Sequence, residues 1–506
     1  MSTDPKRIGI APETNKLIIG KNLDLPGAGM LNYTRKLLFG GGLFVLGACT
    51  PAEQFKSEYT LITNGQVLTM NARFDIIEDG CVVVRGAKIE SVFKTCDGAV
   101  YPNAQIIDAE GGIVMPGMIN LHNHLSMVAF RGLAESGVVD VHDRLYNYFF
   151  PLEKALLSRE LIRVSARHAA IEMALAGVTT TTDMYYHEDE VAKSVKEVGL
   201  RGVLGETVIG FPVVDAPEIY GGLEYAREFI EAWKDDELIT PAVAPHAPYS
   251  VSPEMLLKSK ALADEYNVPI VLHMAEMVNE RETVATNFPN TTQNKSVVKY
   301  LDDIGFLGQN VLAAHVIYID DADMEILKAR GVGVSHNPKA NTKDSSGMSP
   351  AWATRAAGVD MGLGTDGPMS SNQLDILNVM NYAARVARIE SGEVSRFEPQ
   401  ELVQMATIGG AQALDMADKI GSLVPGKLAD IIIIETTSPN MQPNYNPYAT
   451  LVFAAYPSNV VLTMVNGDIV ARDGKIQNVD MTKHQSEWDE ITDKVAAFAK
   501  TLKPTN

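Results

Sequence analysis

The stretch Ile113-Val114-Met115-Pro116-Gly117-Met118-Ile119-Asn120-Leu121-His122-Asn123-His124 decides how the rest of the chain is read. Such an apolar run is strand-like, and in extended backbone a period of two puts the imidazoles of His122 and His124 on one side. Two neighbouring nitrogens can then grip one cation. A lone His-x-His is weak evidence, but the same event recurs downstream. Short β-branched runs at 178–183, 201–208, 240–245, 268–272, 311–314, 332–335 and 359–364 make eight with the run at 113–121. In order, the later seven end on or lead into Asp183, Glu206, His246, His273 with Glu276, His315, His336 and Asp366.

Segments between these runs, such as 158–176, 253–266 and 372–389, carry apolar residues at helical spacing between Gly or polar breaks. Alternating strands and helices predict a parallel sheet. Eight units over about 116–417 are what an α/β fold of the TIM type, a closed (β/α)8 barrel, requires. A doubly wound open sheet is the rival architecture, yet no GxGxxG follows the first strand. In a barrel the carboxyl ends of all strands meet on one rim, so most of the ten histidines would share one cup.

On either side lie short alternating runs separated by Gly, Asn and Asp, at 59–115 and again within 418–480, as expected of small antiparallel strands. The two blocks would meet as one composite β-sandwich beside the barrel. Residues 481–506 hold a C-terminal helix, read over 486–502, as a docking or dimer element or an exposed amphipathic tail. With 46% apolar and 21% charged residues among 506, the chain can bury a large core. A formal net charge of -20 repels phosphate backbones, which argues against a nucleic-acid partner and for a small-molecule substrate.

Residues 1–57 do not read as fold. Arg35 and Lys36 precede an apolar run at 37–48, too short for a membrane span of about 20 residues but suited to a signal-peptide core. It ends in Leu46-Gly47-Ala48-Cys49, which resembles a bacterial lipobox, so Cys49 is a candidate lipidation site. The expected location is the bacterial cell envelope through a lipid anchor, or the cytoplasm if the leader is not a signal. Cys81 and Cys96 have no metal-site or redox spacing, and two buried thiols in strands are expected rather than a disulfide.

A hydrolytic metal site wants three or four N/O ligands and an open position for water, whose pKa then falls to about 7. His122, His124, His273 and Asp366 supply three nitrogens and one oxygen. One divalent ion is expected, zinc first, with iron or manganese compatible with the same ligands. Glu276, just past His273, is placed to take a proton from bound water and hand it to a ring nitrogen, unless it is a surface residue at a helix start. His315 could orient the water or be a satisfied core histidine, and Asp366 could pass a proton to a departing amine.

Taken together, His122-Asn123-His124, Pro245-His246-Ala247-Pro248-Tyr249, His273-Met274-Ala275-Glu276, Ala314-His315, Ser335-His336-Asn337-Pro338 and Gly364-Thr365-Asp366-Gly367 resemble the amidohydrolase superfamily. Within it the likeness is greatest to the 5-methylthioadenosine/S-adenosylhomocysteine deaminase and triazine chlorohydrolase group, over about 59–480. The resemblance implies a metal-dependent deaminase releasing ammonia from an aminopurine-like heterocycle, with adenosine or methylthioadenosine nucleosides favoured. A chlorohydrolase, or a guanine or pterin deaminase, is the alternative. It implies His122, His124, His273 and Asp366 as ligands and Glu276, His315 and Asp366 as catalytic groups. His246, Glu153, Glu276 and Asp366 would bind substrate, with Glu153 on the ribose hydroxyls unless it is only a helix-start charge. Two-metal relatives carry a bridging lysine at the fourth strand, and no lysine stands near His246. Glu206 replaces an arginine that receives a carboxylate tail, which counts against S-adenosylhomocysteine. Asn337-Pro338-Lys339-Ala340-Asn341 departs from the group's Asn-Pro-x-Ser-Asn loop, suggesting a shifted pocket.

Overall fold

The computed structural model describes residues 57–135, 138 and 141–501; the leader, with Cys49, lies outside them. Eight parallel strands form one sheet in chain order: β1 Met118–Asn120, β2 Val178–Tyr185, β3 Arg201–Val208, β4 Ile239–Pro245, β5 Ile270–Met274, β6 Val311–His315, β7 Gly333–His336 and β8 Met361–Leu363. The Leu121 N–H donates to the Leu363 carbonyl at 2.9 Å, bringing the first strand back to the last. Ile119, Met184, Val203, Ala242, Val271 and Leu312 pack as a cluster of their own. Val271 precedes His273 by two residues, so the same face that fills the barrel interior also delivers the histidine to its rim.

The connecting helices start where the sequence offers caps. Ser158 accepts from Leu161 N before the helix Arg159–Leu175, and Ser252 from Met255 N before Pro253–Tyr266. Asp375 does the same for Ile376–Ser391, which ends at Gly392 in a left-handed conformation.

The flanking β blocks join in one nine-stranded sheet. Ile113–Pro116 runs parallel to Tyr59–Leu68 on one side and antiparallel to Ile431–Ile434 on the other, tying the N-terminal block to the C-terminal one. Ile62, Val82, Ile107, Val114, Ile431 and Leu462 share its apolar core. The run at 113–121, read as one strand, is therefore two: it serves the flanking sheet up to Pro116 and the barrel from Met118. Gly117 is the crossing point. A Cβ there would lie 2.1 Å from the Thr179 side chain, so only glycine lets the chain pass at this distance.

Cys81 and Cys96 form a disulfide with their Cα atoms 5.8 Å apart, correcting the expectation of free thiols. Cys81 pairs with Phe93 across the Ile76–Arg85/Lys88–Phe93 ladder, and the chain leaving Phe93 brings Cys96 back to it. A separation of 15 residues matches no short motif, so the pairing exists only through strand register. The C-terminal helix Met481–Ala499 lies on Arg159–Leu175, where Trp488 stacks on His168 at 3.9 Å between ring centroids.

Candidate metal centre and substrate cup

Strand ends bring the histidines together. His122 and His124 follow β1, His273 lies on β5, His315 ends β6 and Asp366 follows β8. Ligand atoms of His122, His124 and His273 lie within 4.8 Å of one another, as do those of His122, His315 and Asp366. The Nε2 atoms of His124 and His273 are 3.4 Å apart, and Asp366 Oδ1 is 3.4 Å from His124 Nε2 and 3.6 Å from His122 Nε2. Four ligands at about 2.1 Å around a tetrahedral ion sit roughly 3.4 Å from each other. The distances between His124 and His273 and from Asp366 to His122 and His124 fit a single divalent ion, with His315 offering a further nitrogen beside His122 and Asp366.

Their hydrogen bonds agree with that fit. His124 Nδ1 lies 2.7 Å from the Met184 carbonyl and His273 Nδ1 2.9 Å from the His246 carbonyl. A carbonyl only accepts, so each Nδ1 carries the proton and each Nε2 lone pair is left for a cation. Both ring nitrogens of His122 are buried without a partner, an arrangement costly in a pure protein core. Burial and then neighbouring imidazoles hold the pKa values of His122 and His273 well below the ordinary 6.5, keeping both neutral as ligands must be.

Three of these strand ends turn through backbone that L-residues rarely adopt: Ala275 (φ 53°), His315 (φ 74°) and Asp366 (φ 63°). Glu280 stabilises the first turn by accepting from the N–H groups of Ala275 at 3.0 Å and Glu276 at 2.7 Å. That turn sets Glu276 with its Oε1 3.8 Å from His315 Nε2 and its side chain 16% exposed, not on the surface at a helix start. Burial raises the Glu276 pKa, with the nearby Asp366 adding to the shift and His315 opposing it. Burial would lower the His315 pKa, but Glu276 and Asp366 prevail and hold it above the ordinary value. Asn341 Oδ1 receives His315 Nδ1–H at 2.8 Å, so the 337–341 loop reaches the site through this contact.

Ser250 Oγ donates to the Ala247 carbonyl at 3.2 Å, so it receives His246 Nδ1–H at 2.8 Å, and burial lowers the His246 pKa to about 3. His246 enters the cup as a neutral ring whose Nε2 can accept. Glu153 comes from the helix Phe150–Leu156 and receives the Tyr185 hydroxyl at 2.7 Å. Burial pushes its pKa up to about 7. His124, His246, His273, Glu276, His315, Asp366 and Glu153 all line one small cup, about 70 Å³ deep inside the barrel mouth.

Three strand-end residues do not join it. Asp183 holds the turn after His124 by accepting from Leu125 N at 2.6 Å, and His336 is buried against Phe397. Glu206 accepts from Glu188 N at 3.1 Å and takes no part in lining the cup, so it does not meet a substrate tail as expected. Its place is among buried carboxyls, where burial and then Asp215 raise its pKa well above the ordinary range. A further acid that the strand ends do not supply, Asp344, faces the cup 3.2 Å from Arg144. Neither carried a motif. Arg144, Asp344 and Tyr185 give no signal in the sequence because each is an ordinary residue until barrel closure gives it neighbours, whereas Asn341 belongs to the 337–341 loop read there.

The model of the Amidohydrolase family matches residues 113–470. A 5-methylthioadenosine/S-adenosylhomocysteine deaminase of Thermodesulfovibrio yellowstonii is 36% identical over 454 residues, covering 88% of this chain and 99% of that protein. A 5′-deoxyadenosine deaminase of Methanosarcina mazei is 34% identical over 440 residues, covering 86% and 98%. Among solved structures, a zinc-bound adenosine deaminase from Xanthomonas campestris superposes with a TM-score of 0.82 at 28% identity, covering 87% of this chain and 98% of that one.

Proposed function

This chain belongs to the amidohydrolase family, and on that premise we propose that it is a zinc-dependent deaminase of adenine nucleosides. The observation that carries this reading is Glu153, a buried carboxylate steadied by Tyr185 in the same cup as the metal ligands. One oxygen accepts the hydrogen bond from the tyrosine hydroxyl and the other can accept from vicinal sugar hydroxyls. The names of the relatives at 34–36% identity support the same substrate class.

A zinc ion held by His122, His124, His273 and Asp366 would supply an acidified water, its pKa lowered to about 7. Iron or manganese would accept the same side chains. Glu276 takes a proton from that water and delivers it to the ring nitrogen beside the amine-bearing carbon, a transfer its raised pKa favours. His315, fixed by Asn341 and 3.8 Å from Glu276, would orient that water. His246 faces the substrate ring as a neutral acceptor. Asp366 relays the second water proton to the amine, which departs as ammonia while the ring carbon keeps the water oxygen.

The test is ammonia release by the metal-analysed full-length protein. Adenosine, 5′-deoxyadenosine and 5′-methylthioadenosine should be deaminated with about one metal ion per chain. Ammonia from pterins or free guanine alone, or chloride from chlorotriazines, overturns the reading.

We also propose that the protein works in an oxidising compartment, anchored to a membrane surface by a lipid on Cys49. The Cys81–Cys96 disulfide supports this, because such bonds persist chiefly outside the reducing cytosol. The apolar run ending at Cys49 supports it too. Among the described residues no helix is long and apolar enough to cross a membrane. Mass spectrometry of the native protein should find a diacylated Cys49 as its N-terminus. A soluble protein with the leader intact and Cys81 and Cys96 open to alkylation would sink the proposal.

A further inference from the structure

The inner cup opens into a second chamber of about 840 Å³, with Leu145, Phe150, His246, Tyr249 and Asp344 on the wall they share. That volume lies within the roughly 300–1,000 Å³ that takes a whole drug-sized ligand, far more than a methylthio group fills. Its lining is rich in aromatic rings, among them Tyr146, Phe150, Phe211, Tyr220, Phe288 and Tyr318. Phe150 stands between two of them, edge-to-face with Tyr146 at 5.2 Å and with Phe211 at 5.4 Å. Such a cluster offers faces and edges on which another ring packs. Among the described residues that line the chamber there is no lysine or arginine, and Asp344 is its single carboxylate. Arg144 borders the inner cup, 3.2 Å from Asp344 and donating to the Met369 carbonyl at 3.2 Å.

We propose that this chamber is a subsite for a bulky, uncharged, aromatic substituent on the 5′ carbon of the nucleoside. The inference rests on the adenine-nucleoside reading above. With the amine-bearing ring at the metal ligands and the sugar hydroxyls at Glu153, the 5′ carbon is the end left to leave through the shared wall. A ring attached there exchanges water for the aromatic lining. A carboxylate attached there gives up hydration without a cationic partner and meets Asp344 instead.

Metal-loaded full-length protein is assayed by ammonia release on adenosine and on its 5′-methylthio, 5′-benzylthio and 5′-(3-carboxypropylthio) derivatives. The benzylthio compound should have a kcat/KM at or above that of the methylthio compound, and the carboxylate at least tenfold below the benzylthio. Phe211→Ala should lower the benzylthio-to-methylthio ratio about fivefold, a readout from which any general loss of activity cancels. A benzylthio compound slower than the methylthio one, a carboxylate within tenfold of it, or a ratio unmoved by Phe211→Ala overturns the subsite. If adenosine and the methylthio compound react and the benzylthio does not, the subsite alone falls. If adenosine itself releases no ammonia, the nucleoside reading falls and takes the subsite with it.

Discussion

Glu276 and Glu153 are two carboxyls of one cup with opposite duties, and their surroundings separate them. Glu276 stands beside the ligand set without belonging to it, so Glu276→Gln should cut turnover by about 10²–10⁴-fold while metal content stays as in the wild type. Parallel kinetics and metal analysis check this, and near-normal turnover in the variant refutes the proton-transfer role. Glu153, with a pKa raised by burial to about 7, must be ionised for its second oxygen to serve two hydroxyls. The kcat/KM for adenosine should therefore fall as pH drops below about 7, and Glu153→Gln should flatten that limb. Stability moves the other way. A carboxyl raised from 4.5 contributes stability that is fully present below 4.5 and lost as pH rises through about 7. Glu153→Gln should thus melt higher than wild type at pH 8 and lose that advantage at pH 4.5, a pattern that thermal denaturation reads directly. The candidate metal ligands are legible in the sequence because a period of two and strand-end position are local properties. Glu206 is misplaced by the same logic: residue order puts it at a strand end, but only the packing of Glu188 and Asp215 turns it away from the cup.

Strands and helices differ in how far their ends can be read. The caps Ser158, Ser252 and Asp375 announce their helices, since each side chain bonds within three residues. The left-handed turns at Ala275, His315 and Asp366 give no such signal; non-glycine residues hold them because the barrel around them leaves no alternative. The C-terminal helix is legible as a helix, but its docking is not. His168 and His484 approach to 3.2 Å, Arg167 donates to His484 at 3.0 Å, and Glu487 and Glu197 also engage Arg167. Burial, then His484 and Arg131, lower the His168 pKa to about 4 from 6.5. A depressed histidine contributes stability above 6.5 that is lost as pH falls toward 4. Docking of the helix Met481–Ala499 on Arg159–Leu175 should therefore weaken in acid. Hydrogen exchange should find the helix protected at pH 7.5 and less protected near pH 4.5, whereas equal protection at both values contradicts this docking chemistry.

Across the whole molecule, the barrel and the nine-stranded sheet are two structures sharing one strand-like stretch and one buried ion pair. The sequence anticipates both bodies, yet not their seam: Pro116-Gly117 marks a break inside a strand-like run, but a break alone does not say that the chain changes sheets there. Arg201, the first residue of β3, grips Asp430 at 3.0 and 3.2 Å with both side chains at most 4% exposed. Asp430 leads into Ile431–Ile434 and also accepts from Asn466 N at 2.8 Å, so one carboxylate ties the barrel to two segments of the flanking sheet. Arg201→Met leaves that carboxylate buried without its cation, which should cost about 3–5 kcal/mol, while Arg201→Met with Asp430→Asn should regain much of the loss because the stranded charge goes too. The metal cup lies at the other end of the strand: six residues at about 3.3 Å each put Arg201 roughly 20 Å from Thr207 on the cup wall. Folded Arg201→Met protein should consequently keep its metal and its kcat/KM. Denaturant unfolding together with kinetics on the same preparation decides the matter, since a loss under about 1 kcal/mol, or one accompanied by failing catalysis, would mean that the clasp does not act as a purely structural joint remote from the chemistry.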